Sequence, residues 1–153
     1  MDCSSIDPAG VQFPQLAGSS ATRTSDPDEG YNCIAWAAED NERIWWPVQH
    51  GAWWPVEPIP PEPTVDAFVR GFRELGYEPV RDGEHDPSIE KLAIYVKDGE
   101  VTHMARQLAN GRWTSKIGKN VDIEHPLDAL ENGDYGSVHS FLGRTRPATG
   151  LPV

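Results

Sequence analysis

Cys33 is the residue whose sequence surroundings best suit nucleophilic chemistry. It stands in Tyr31-Asn32-Cys33-Ile34-Ala35-Trp36-Ala37-Ala38, straight after the turn-forming run Asp26-Pro27-Asp28-Glu29-Gly30, so the thiol opens an Ala-rich helix. Unpaired N–H groups and the positive end of the helix dipole favour a thiolate there. Asp28 and Glu29 oppose that shift, so activation calls for a histidine from elsewhere in the chain. The competing reading is a buried thiol that serves as a small apolar core residue.

His103 is the histidine best placed for the task. It lies at the start of Val101-Thr102-His103-Met104-Ala105-Arg106-Gln107-Leu108, which reads as a strand able to hold an imidazole rigidly. The next strand, Arg112-Trp113-Thr114-Ser115-Lys116-Ile117, brings Ser115 close to His103 if the Asn110-Gly111 turn sets the register, and a one-residue slip turns it to the other face. Asp122, in Asn120-Val121-Asp122-Ile123-Glu124-His125, is the alternative for orienting the imidazole. An oxyanion would be met by Asn32 or by the N–H of Cys33. His50, His85, His125 and His139 share no spacing that makes a ligand set, so neither a metal nor a cofactor is expected.

The elements that must position these residues are read as follows. Residues 1–29, rich in Ser, Thr, Gly, Asp and Pro, form an irregular leader, and residues 30–153 a single domain. A helix runs over 31–42. A second, capped by Thr64, runs over 65–75 with Val65, Phe68, Val69, Phe72 and Leu75 on one face and Gly76 as its stop. The period then changes to two, giving strands over 91–96, 101–108 and 112–117 joined by tight turns at 97–100 and 109–111. A short helix over 126–131 and a strand over 135–142 follow. Helices first and strands afterwards make an α+β domain with N-terminal helices packed on an antiparallel sheet.

Between the helices lie Ile44-Trp45-Trp46-Pro47-Val48 and its echo Ala52-Trp53-Trp54-Pro55-Val56, then the proline-rich 57–63. Prolines exclude regular helix or central strand, so this is an extended loop. Trp45, Trp46, Trp53 and Trp54 either form a stacking platform for a ligand or a lid over the core.

The net charge of −11, from 24 acidic and 13 basic side chains, argues against nucleic acid and anionic membrane as partners. The two cysteines, Cys3 and Cys33, form no recognisable framework, which together with the absence of a basic, apolar N-terminal signal points to a reducing, cytoplasmic setting.

A cysteine opening a helix, a strand-borne histidine, a Gly-containing hairpin and a polar residue on the next strand make the chain similar to the papain-like cysteine hydrolases, in particular the compact NlpC/P60 and CHAP branch. The likeness spans about residues 30–120. It implies a papain-like fold and attack of Cys33 on an amide or thioester of a peptide or protein substrate, with His103 moving the proton and Ser115 or Asp122 orienting the ring. That family has His, Asn, Gln, Asp or Glu where this chain offers Ser115, which holds no charge to stabilise an imidazolium. The segments Tyr-Asn-Cys-Ile-Ala-Trp-Ala and Trp-Thr-Ser-Lys also resemble those of a group of small bacterial proteins. A non-catalytic interaction module that uses the Trp45–Trp54 loop stands beside the hydrolase reading. Oligomeric state stays open.

Overall fold

The computed structural model describes residues 19–48, 52–57, 62–117 and 121–146. Most of the expected leader and the proline run at 58–61 lie outside them. Seven strands dominate the described residues: β1 (Thr22–Arg23), β2 (Glu78–Val80), β3 (Ile89–Lys97), β4 (Glu100–Gln107), β5 (Trp113–Lys116), β6 (Asp122–His125) and β7 (Ser137–Thr145). The described residues also form two short α-helices, α1 (Cys33–Ala37) and α2 (Val65–Arg73), and a 3-10 turn over Leu127–Leu130.

The strands form one antiparallel sheet in the order β1-β6-β5-β4-β3-β7-β2. From β3 to β6 the chain meanders, then β7 returns to the free side of β3. Two residues carry the β3–β4 turn in the left-handed region, Asp98 at φ 53° and Gly99 at φ 83°, which matches the twist of the flanking strands. The β4–β5 turn uses Gly111 at φ 88°.

This overturns the α+β arrangement of N-terminal helices on a sheet, and with it the papain-like layout. The helix expected over 31–42 stops at Ala37 after five residues. Glu39 adopts φ 66°, the left-handed position that ends helices, and the Asp40 carboxylate turns to accept from Trp45 Nε1 at 2.8 Å and Arg43 Nε at 2.7 Å. Thr22–Arg23, assigned to the leader, instead pair with β6. Asp122–His125, to which the sequence reading assigns no element, is a strand.

α2 forms as its pattern dictates. Thr64 Oγ1 accepts from Ala67 N at 3.1 Å, and Ala67, Phe68, Gly71 and Phe72 are buried. The α1 helix packs on β4 and β5, and α2 contacts β2 and β4. With helices on one side of the sheet and the 127–136 segment on the other, Leu92, Ala93, Ile94 and Tyr95 of β3 are all fully buried.

Candidate functional site

Alternate side chains of β4 and β5 face opposite ways. Arg106 and its cross-strand partner Thr114 face α1: the Arg106 guanidinium carbon lies 5.1 Å from the Trp36 ring centroid, and Trp36 Nε1 donates to Thr114 Oγ1 at 3.0 Å. Lys116 shares this face, its Nζ 4.1 Å over the Tyr31 ring. Asp122, the cross-strand partner of Lys116, accepts at Oδ2 from Tyr31 Oη at 2.8 Å. Burial raises the carboxyl pKa of Asp122 and lowers that of the Lys116 ammonium.

His103 and Ser115 stand an odd number of residues from Arg106 and Thr114, so they occupy the opposite face. There the expected contact between them is present, His103 Nε2 to Ser115 Oγ at 2.9 Å. Ser115 Oγ also meets His125 Nε2 at 2.7 Å, and His125 Nδ1 meets the Pro126 carbonyl at 2.7 Å. That carbonyl only accepts, so Nδ1 of neutral His125 carries the proton and its Nε2 accepts from the Ser115 hydroxyl. Ser115 then accepts from His103 Nε2–H. All three side chains are fully buried, and Tyr135 stacks on His103 at a centroid distance of 4.0 Å and an interplanar angle of 7°. Burial holds both imidazoles below the usual histidine range, His125 at about 4.

The structure thus joins His103 to Ser115 but sets α1, and Cys33 with it, on the other face of the sheet. Asp122 lies on the α1 face and does not orient His103. Cys33 is fully buried and disulfide-bonded, which corrects the expectation of unpaired thiols; the other cysteine of the chain, Cys3, lies outside the described residues. Asn32 is a structural cap. Its Oδ1 accepts from Ala35 N and Trp45 N, each at 3.1 Å, and its Nδ2 donates to Trp45 O at 2.8 Å, fastening the tryptophan segment to α1. His125 is the member of the buried chain that spacing alone did not single out. Its partner Trp113 across the β5–β6 pair was hidden because β6 carried no strand signal.

The tryptophans divide between lid and surface. Trp45 is buried, 4.6 Å from Trp53 between centroids and edge-on to Trp54 at 6.2 Å. Trp54 stands edge-on to Phe68 at 4.9 Å and lies over Gly71 of α2, where an added Cβ would come within 2.7 Å of the indole. Trp46, Trp53 and Trp54 remain half-buried and line, with Pro47, Pro55 and Glu57, a cavity of about 330 Å³. Gly71→Ala is expected to push Trp54 off its seat. The methyl group gains about 1 kcal/mol of helix propensity but costs about 1–3 kcal/mol in overpacking, so stability falls slightly while tryptophan emission shifts to the red. Unchanged emission would refute that packing.

Among the described residues no group of three His, Cys, Asp or Glu side chains converges as a metal site, and no helix is long and apolar enough to cross a membrane. No curated protein matches the chain, and no solved structure does. A family model described as Domain of unknown function (DUF7689) matches residues 22–143. Spanning most of the chain and every described strand except the last residues of β7, that match shows that the protein belongs to this family.

Proposed function

We propose that the domain is a non-catalytic protein-interaction module whose binding surface is formed by Trp46, Trp53 and Trp54 with the prolines beside them. The observation that carries this reading is the cavity of about 330 Å³ walled by half-buried indoles and prolines, a surface of the kind that takes up extended peptide. The hydrolase reading lacks comparable support, since Cys33 is buried and oxidised and α1 lies across the sheet from His103.

Peptides that differ in charge and proline content, titrated into the domain under tryptophan fluorescence, test it. At least one peptide is expected to shift the emission, and Trp53→Leu to weaken that response about tenfold, the scale of one lost aromatic anchor. Native, unreduced protein treated with iodoacetamide is expected to leave Cys33 unlabelled. A silent panel, or a response indifferent to Trp53, ends the proposal. Labelling of Cys33 would return attention to thiol chemistry.

A further inference from the structure

Resting on that reading, we infer that the partner is an extended, arginine-bearing protein segment, which crosses a ridge formed by Arg43 and Trp53. The Arg43 guanidinium carbon sits 3.8 Å from the Trp53 ring centroid, with Arg43 Nε held by Asp40 Oδ2 at 2.7 Å. The segment therefore already contains an indole face occupied by a guanidinium with a carboxylate behind it, the arrangement that an incoming cation would repeat.

The two sides of the ridge supply that repetition. On one side is the cavity of Trp46, Trp53, Trp54 and Glu57. On the other is a second cavity of about 430 Å³, lined by Glu39, Asp40, Glu42 and Arg43 with Trp45 at its base. Trp46 is packed edge-on against Phe68, 5.6 Å between centroids, and among the described residues no cation covers its face. Glu42 and Glu57 have no ion-pair partner among the described residues, whereas Glu39, Asp40 and Glu90 each pair with an arginine. The net charge of −11 draws a basic segment towards this surface and repels nucleic acid and anionic membrane. One arginine lies on Trp46 against Glu57, and a second enters the Glu39–Glu42 cavity. Arginine suits both places better than lysine, because its flat, weakly hydrated head stacks on indole and pairs with carboxylate at once.

The test uses three synthetic peptides of one length, alternating Arg-Pro, Gln-Pro and Glu-Pro, titrated into the whole chain by calorimetry at low and at physiological salt. Arg-Pro is expected to bind, Gln-Pro about tenfold more weakly, and Glu-Pro weakest. Trp46→Leu, which keeps an apolar contact to Phe68, is expected to weaken Arg-Pro binding about tenfold at an unchanged melting temperature, and Glu57→Gln several-fold. Equal binding of Gln-Pro and Arg-Pro, both lost in Trp46→Leu, would leave the tryptophan surface as a binding site and overturn its preference for cations. Arg-Pro binding indifferent to Trp46 and Glu57 would be diffuse attraction to an acidic chain, and would overturn both the preference and the site. Absence of binding by all three peptides overturns the inference.

Discussion

Acidification from pH 6.5 to about 4 is expected to remove about 3 kcal/mol of folding stability through His125 alone. In the folded domain this imidazole is neutral down to about pH 4, whereas in the unfolded chain it takes a proton near 6.5. The unfolded state therefore binds protons first. The contribution is complete above 6.5, declines as the pH falls, and is exhausted below about 4. His103 acts in the same direction, since burial and then the nearby His125 hold it well below 6.5.

The hydrogen-bond chain explains why the site resists a proton. A second proton on His125 turns Nε2 from acceptor to donor, so both rings then present N–H to one Ser115 oxygen and its hydroxyl hydrogen must find another acceptor. Neighbouring charges modify the outcome: Glu124 and Asp128 favour the protonated ring, and Arg112 opposes it. Asp122 works the other way, because its raised carboxyl takes up a proton more readily when folded and recovers part of the loss. Urea unfolding followed across this range reads the slope. His125→Gln is expected to flatten it, and an unchanged slope would show that the imidazole is not held neutral.

Replacing Gly136 by alanine is expected to cost about 3 kcal/mol or more, from strain and overpacking together. At φ 78° the residue sits where a side chain is disfavoured, and an added Cβ would lie 2.1 Å from the Val96 carbonyl oxygen. Val96 is paired with Val101 on one side and Ser137 on the other, so that backbone has no room to retreat. Damage spreads through Tyr135, which stacks on His103 and whose carbonyl accepts from Thr102 Oγ1 at 2.6 Å. Gly99 is the control. It has a similar φ of 83° but nothing within 4 Å of an added Cβ, so Gly99→Ala costs only about 1 kcal/mol of backbone strain. Equal losses in the two variants, measured by chemical denaturation, would mean that the Val96 contact has no weight.

What could be read in advance follows from signal strength. Asp98-Gly99 and Asn110-Gly111 fix their turns, and the second sets the register that brings Ser115 to His103. Thr64 and the spacing of Phe68 and Phe72 fix α2. Two- and three-residue strands such as β1 and β2 contain too few alternations to show a period. In β6, Asp122 and Glu124 alternate with Ile123 and His125, and burial of Asp122 depends on a tyrosine about ninety positions away. The separation of Cys33 from His103 turns on a finer point. Whether α1 lies over Thr114 or over Ser115 is a choice between adjacent residues, and nothing in the helix sequence makes it. Glu39 in a left-handed conformation, where glycine or asparagine is usual, concealed the early end of α1.

The margins of the sheet bear on how this domain meets other chains. β1 has two residues and β2 three, and the middle one of β2 is Pro79, which has no amide hydrogen to offer. A foreign strand approaching either described border finds almost no main chain to zip onto, so runaway fibre growth and recruitment by sheet extension are both discouraged. Encounters must then be discriminated by side chains. Selectivity can drift by exchange of individual surface residues while the scaffold beneath stays as it is.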